Sequence, residues 1–319
     1  MSEPATCLRT TVAGLEFQNP IVLAAGTAGY GEELAGVMGL DRLGGIVTKA
    51  VSREPRAGAP APRVAEFQGG MINAVGLANP GLAEVCSRHL PWLASHLPNA
   101  RKIANVVGFT IDEYEAVVSG LEEAMASDRT VGRALDGFEL NVSCPNVKAG
   151  GMEFGADPTA LSALVDAARR ATKRSLFVKL SPTLPDIANT ARLVADAGAD
   201  AITVVNTIPG LVVDVEKRRP VLGFGSGGVS GAAVLPVGVL ATWKVHCAVR
   251  LPIVGVGGVS SGVDALQYIL AGASLVGIGT AALRDPRAPE RVVAELDKWC
   301  QRHNVTNVSE LVGELEWPR

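Results

Sequence analysis

The 319-residue chain is 48% hydrophobic and 19% charged, the balance of a soluble globular protein with a sizeable core. Its net charge is −3, with no basic block and no interleaving of aromatic and basic residues, which argues against a nucleic-acid partner. No run approaches the ~18 uninterrupted apolar residues of a membrane span, and Met1-Ser2-Glu3-Pro4 does not lead into a secretory signal, so a cytoplasmic protein without a membrane partner is expected.

Aromatic residues make up only 4% of the chain, while 36 residues are glycine. The core must then be built from Val, Leu, Ile and Ala, which suits a buried parallel sheet covered by helices. Five cysteines (Cys7, Cys86, Cys144, Cys247 and Cys300) are scattered without a Cys-x-x-Cys pair. Such spacing offers no local thiolate set for an iron–sulfur cluster or a structural zinc.

In chain order, residues 8–19 read as a small hairpin with Ala13-Gly14 near its turn. Strand candidates follow at 21–25, 45–49, 102–107, 137–143, 176–181, 201–206, 253–256 and 275–279. Helical periodicity lies between them, for example over 157–172, 184–197 and 261–271. Eight strands alternating with helices predict an α/β fold, a (β/α)8 TIM barrel. A doubly wound open sheet uses the same alternation, but no Gly-x-Gly-x-x-Gly opens the first helix here. Two connections exceed what a barrel needs, 53–89 after the second strand and 208–234 after the sixth, and function concentrates in such loops. The most apolar stretch, 229–245, is broken by Gly231, Pro236 and Gly238 and reads as loop plus buried helix. Nothing resembles a linker, so one domain over 1–319 is expected.

Polar residues cluster where these strands end. Asn141-Val142-Ser143-Cys144-Pro145-Asn146 closes the fourth strand, and Pro145 stops it because it has no N–H to donate. Cys144 reads either as a small buried hydrophobe beside turn-capping asparagines or as part of a ligand site. Lys49 ends the second strand, Asn105 lies in the third, Lys179 in the fifth, and Asn206-Thr207 ends the sixth. A lysine within Phe177-Val178-Lys179-Leu180 either forms a salt bridge inside the barrel or meets a ligand, because burying it unpaired is costly. Amides and lysines suit a flat, hydrogen-bonding heterocycle better than a metal, and no metal is expected. Gly255-Val256-Gly257-Gly258 and Gly277-Ile278-Gly279-Thr280 follow the last two strands, where barrels commonly bind phosphate with backbone amides. Ser226 to Gly231 either adds a donor loop to that phosphate or is a mobile surface loop. The four histidines fall in predicted helices or loops, which leaves Cys144 as the best-placed general base.

The motifs together resemble the dihydroorotate dehydrogenases. The resemblance rests on Thr48-Lys49-Ala50 with Glu54-Pro55-Arg56, Asn73-Ala74-Val75-Gly76-Leu77-Ala78-Asn79-Pro80-Gly81, Asn141 through Lys148, and Val178-Lys179-Leu180-Ser181-Pro182. It continues through Asn206-Thr207, Gly227 to Gly231, Gly257-Gly258 and Gly279-Thr280. Cysteine rather than serine at 144 looks like the soluble class 1, and Asn79-Pro80-Gly81 with Lys148 through Gly151 looks like its subclass 1B. The resemblance implies FMN-dependent oxidation of (S)-dihydroorotate to orotate in pyrimidine synthesis. Cys144 would take the C5 proton while hydride leaves C6 for flavin N5. FMN would be held by Thr27, Lys49, Ala50, Asn105, Asn141, Lys179 and Val205, with its phosphate at Gly231, Gly257, Gly258, Gly279 and Thr280. Lys49, Asn73, Asn141, Asn206 and Thr207 would hold the pyrimidine, backbone amides of Val75, Gly76 and Leu77 its carboxylate, and Ala74 would also belong to the substrate site. Lys179 would face the flavin N1–C2 edge.

The resemblance further implies a homodimer, or a heterotetramer with a partner subunit carrying FAD and a [2Fe–2S] cluster that passes electrons to NAD⁺. The chain departs from the family pattern at Ala59, where an asparagine is usual, at Gly223 to Ser226 and at Pro209. Two other readings suit the same residues: a dihydropyrimidine dehydrogenase-like flavoenzyme acting on uracil or thymine, and an aldolase-like barrel forming a Schiff base at Lys179.

Overall fold

The computed structural model describes residues 6–143, 145–146 and 152–318. Eight parallel strands close into a barrel: β1 (Ile21–Leu23), β2 (Gly45–Val47), β3 (Arg101–Val106), β4 (Gly137–Asn141), β5 (Ser175–Leu180), β6 (Ala201–Val204), β7 (Ile253–Val256) and β8 (Leu275–Ile278). Each pairs in parallel with its chain neighbours, and the ring closes where β8 meets β1, Gly277 opposite Val22. The structure is thus the barrel expected from the strand count. Helices between the strands cover the outside, and their starts follow ordinary capping chemistry. Asp157 caps Pro158–Ala171, whose proline occupies the first turn where its missing N–H costs nothing. Ser261 and Asp264 form a reciprocal capping box on Gly262–Leu270.

Four strands end two residues earlier than their patterns suggest. β1 stops at Leu23, β2 at Val47, β4 at Asn141 and β6 at Val204, and two residues past β2 the backbone has turned to a loop partner. The Lys49 N–H, for example, donates to Gly29 O at 2.7 Å. The long connection after β2 is also shorter than read, since helical structure resumes at Leu82. The helix Leu235–Ala248 is less buried than expected: Val237 and Leu240 face outward.

The N-terminal hairpin pairs Thr10–Val12 with Leu15–Phe17 across Ala13-Gly14, both at positive φ (50° and 77°). Two such residues make the turn whose twist matches the strands it joins. This hairpin plugs one end of the barrel. Val12 and Phe17 pack with the inward side chains Val22, Val47, Ile103, Phe177, Ala201, Val254 and Leu275. The hydroxyl of Ser175 ties the turn down through Ala13 O at 2.8 Å.

The connections after β2 and β6 meet at the opposite end. Their strands form one antiparallel sheet in the order Ile208–Gly210, Gly227–Ser230, Gly70–Asn73, Val64–Phe67. The segment leading to Gly231, read as donor loop or mobile loop, is therefore a strand at the centre of this cover. Among the described residues no helix is long and apolar enough to cross a membrane.

Phe17 is 1% exposed, so truncating it opens a cavity in the plug. Phe17→Ala should lower unfolding stability by about 3–5 kcal/mol, measured by chemical denaturation; a loss below about 1 kcal/mol would show that the hairpin does not support the barrel.

Candidate active site

Above the apolar plug, the alternation that points every second strand residue inward delivers polar groups instead. Lys49 lies two residues beyond Val47, Asn105 two beyond Ile103, Lys179 two beyond Phe177 and Thr203 two beyond Ala201. Glu139 and Asn141 come from β4. The carboxylate of Glu139, 2% exposed, accepts from Asn105 Nδ2 at 2.8 Å and from Thr203 Oγ1 at 2.7 Å. The backbone of Asn105 donates to Thr48 Oγ1 at 3.3 Å. A buried polar layer of this kind is stable because its members satisfy one another.

Lys179 is the exception. It is 6% exposed, sits in register beside Asn141 on β4 and Thr203 on β6, and makes no ion pair or hydrogen bond among the described residues. The salt bridge considered for it from sequence is absent among those residues. A buried ammonium without a partner is destabilising, and this one faces a cavity.

That cavity, about 540 Å³, falls in the range of small-molecule and cofactor sites. Its walls include Thr27, Lys49, Ala50, Asn105, Asn141, Lys179 and Val205, and at one end Gly231, Gly257, Gly258, Gly279 and Thr280. Asn73, Val75, Leu77, Asn206 and Thr207 line it as well. Ala74 and Gly76 do not reach its surface. Gly76 instead packs where a side chain would run into the Ala59 backbone. Cys144 and residues 147–151 lie outside the described residues.

Several contacts position these walls. Tyr114 donates to Asn141 O at 2.6 Å and packs edge-on against Phe154. Asn206 Nδ2 reaches Asn141 Oδ1 at 3.3 Å, while Asn206 Oδ1 accepts from the Thr207 N–H at 2.8 Å. Asn73 Nδ2 donates to Gly228 O at 3.2 Å, across the cover sheet. The buried Ser143 hydroxyl has no hydrogen-bond partner among the described residues.

At the glycine end, Gly258 has φ 74°, and a Cβ there would stand 2.7 Å from the Leu235 backbone nitrogen. Bare backbone is what lets the turns after β7 and β8 come close to a ligand. Tyr268 holds the first turn by donating to Gly257 O at 2.8 Å; burial pushes its phenol well above the usual range. Thr280 Oγ1 and Ser230 Oγ, 2.8 Å apart, join the second turn to the cover sheet. Arg284, Asp285 and Arg291 form the outer rim, where hydrogen bonds from Arg291 and then Arg287 hold the Asp285 carboxyl down at about 2.

Glu139, Thr203, Tyr114 and Tyr268 were not singled out from sequence. Glu139 carried the same signal as Lys179, a charged residue in an apolar strand. The others gave none, because a threonine in a strand or a tyrosine in a helix is unremarkable until its partner is known. Of the histidines, His89 is buried, stacked on Tyr30 and 3.0 Å from Glu32 Oε1, and does not line the cavity. Among the described residues no three His, Cys, Asp or Glu side chains are grouped as metal ligands.

A protein-family profile described as dihydroorotate dehydrogenase matches residues 7–299. The chain is 43% identical over 309 residues to the catalytic subunit of dihydroorotate dehydrogenase B (NAD(+)) of Pelobacter propionicus, covering 97% of this chain and 98% of that one. The protein of that name from Geobacter metallireducens is 42% identical over the same shares. In three dimensions the chain is similar to dihydroorotate dehydrogenase of Eimeria tenella, solved in complex with ferulenol. That match has a TM-score of 0.81 and 23% identity, over 98% of this chain and 90% of the other.

Tyr268→Phe removes the donor to Gly257 O and leaves that carbonyl unpaired. The variant should lose about 1 kcal/mol of stability, read as a lower urea midpoint; an unchanged midpoint would mean that Tyr268 does not hold the turn.

Proposed function

The chain belongs to the dihydroorotate dehydrogenase family of oxidoreductases, and we propose that it oxidises (S)-dihydroorotate to orotate with FMN, the redox step of pyrimidine synthesis. One observation carries this reading: the unpartnered Lys179 shares a cavity with Lys49, three strand-end asparagines and the glycine turns after β7 and β8.

The residues fit FMN. The turns at Gly257-Gly258 and Gly279-Thr280 line one end of the cavity, and glycine-rich backbone at such turns is the usual chemistry for a phosphate. Lys179 supplies the positive charge that an electron-rich flavin edge requires. Thr27, Ala50, Asn105, Asn141 and Val205 complete the walls of the flavin pocket, and Gly231 closes the phosphate end. The chemistry supplied by bound FMN is acceptance of a hydride from C6 of the substrate.

The rest falls to side chains of this chain. Asn73, Asn141, Asn206 and Thr207 hold the pyrimidine by amide and hydroxyl bonds, and Lys49 adds charge beside it. Val75 and Leu77, which line the cavity, offer backbone N–H groups to the carboxylate, whereas Gly76, also expected there, does not reach the cavity surface. Positive φ at Gly76 and Leu77 (68° and 56°) folds this segment tightly against Gly58 and Ala59. Cys144 removes the C5 proton as its thiolate, a role that needs a thiol pKa brought near ambient pH.

We also propose that the chain is a subclass 1B catalytic subunit, acting in the cytoplasm as one flavin-binding domain. Its partner would carry FAD and a [2Fe–2S] cluster and pass electrons to NAD⁺, in a heterotetramer built on a homodimer. The names of its relatives, each a catalytic subunit, support this. So does a sequence with no Cys-x-x-Cys pair and no Gly-x-Gly-x-x-Gly between a first strand and its helix, the run at Gly223 to Gly228 lying in the connection after β6.

An unpartnered lysine at a strand end also suits a Schiff base, and the cofactor separates the two readings. Denaturing the purified protein should release one FMN per chain; a colourless protein that cannot be reconstituted with FMN, but is trapped by borohydride on Lys179, would favour the Schiff base instead. Cys144→Ala should keep its flavin yet be reduced by dihydroorotate roughly 10²–10⁴-fold more slowly, followed by rapid mixing. Reduction at the wild-type rate would remove Cys144 from its role.

A further inference from the structure

Glu139 is a buried charge that the reaction as described does not use. Its side chain does not line the cavity, yet it lies directly behind Asn105, which does. Among the described residues it makes no ion pair. Both of its oxygens accept: Oε1 from Asn105 Nδ2 and Oε2 from Thr203 Oγ1.

Two consequences follow. A carboxylate can only accept hydrogen bonds, so it draws the Asn105 amide nitrogen toward itself. The Asn105 carbonyl Oδ1 is then the acceptor left for whatever occupies the cavity. The second concerns charge. A neutral glutamine could make both bonds, its Oε1 accepting from Asn105 and its Nε2 donating to Thr203 Oγ1. The bonding pattern therefore does not require a negative charge, and a buried unpaired carboxylate is costly to keep. Thr203, which holds this carboxylate, is the register neighbour of Lys179 on β6. A negative charge one residue behind the cavity wall thus opposes the positive charge that faces into it.

With FMN in the cavity, as argued above, we propose that Glu139 is a positioning residue that sets the redox potential of the flavin. It orients Asn105 as an acceptor, and its charge, acting at short range in a medium of low dielectric constant, partly cancels the pull of Lys179 on added electrons. Bound flavin is thereby kept from holding its electrons too tightly to pass them on.

The test is the midpoint potential of FMN in the holoprotein, measured by dye-coupled anaerobic titration for wild type, Glu139→Gln, Glu139→Asp and Thr203→Val. Glu139→Gln should fold and retain FMN, with the ratio of reduced to oxidised FMN affinity raised about tenfold, a positive shift of about 30 mV for a two-electron couple. Glu139→Asp and Thr203→Val keep the charge and should show no positive shift, even if they bind FMN more weakly. A Glu139→Gln potential equal to wild type would overturn the proposal, as would an equal positive shift in Glu139→Asp. An unfolded or flavin-free Glu139→Gln would overturn it too, since the charge would then be holding the structure. Wild-type protein that binds no FMN would instead overturn the flavoenzyme reading on which this rests.

Discussion

Closing eight parallel strands turns every second side chain inward, and the rest of this structure depends on how that interior is filled. The lower half is apolar: Phe177, Ile103 and Leu275 meet Phe17 and Val12 of the hairpin, and water is excluded. The upper half is polar, with Asn105, Glu139 and Thr203 bonded to one another above that floor. The division follows from β-sheet periodicity. Residues two apart on a strand share a face, so each strand that starts apolar can end polar without changing direction. Lys179 sits where the two fillings meet the cavity, and its lack of a partner among the described residues marks the upper half as a binding site rather than a second core.

The cover sheet adds a constraint that neither loop could supply alone. Gly228 pairs with Asn73 across it, and a Cβ at Gly228 would collide with the Thr207 side chain. The glycine thus allows three segments, from the connections after β2 and β6 and from the end of β6 itself, to converge on one wall of the cavity. Asn73, Thr207 and Gly231 are positioned by a shared hydrogen-bond ladder. Mobility of one connection would be transmitted to the other.

The barrel was legible in the sequence because its strands are short, β-branched and regularly spaced, and because no dinucleotide fingerprint competed. The strand-end asparagines and Lys179 were legible for a simple reason, namely that polar side chains interrupt apolar runs. The glycine turns could be read from their position after the last two strands. Pairing between the two long connections could not be read, since Gly-rich and Pro-rich segments carry little β pattern and their partners are over a hundred residues apart. Nor did the sequence reveal that Ala74 and Gly76 turn away from the cavity, which depends on the packing of Gly76 against Ala59. Glu139 could have been found. Its place in Gly137-Phe138-Glu139-Leu140 poses the question that Lys179 posed, but its answer lies in Asn105 on β3 and Thr203 on β6, two non-adjacent strands whose side chains meet at Glu139 only inside the closed barrel.

The central claim is that this cavity brings dihydroorotate and FMN together for hydride transfer. Anaerobic mixing of the purified chain with (S)-dihydroorotate, followed by visible flavin absorbance, tests it most directly. Bleaching of the flavin on mixing, with orotate formed in equal amount, is the predicted result. A yellow protein that binds FMN but stays oxidised with dihydroorotate, and bleaches instead with a dihydropyrimidine lacking the carboxylate, would contradict it.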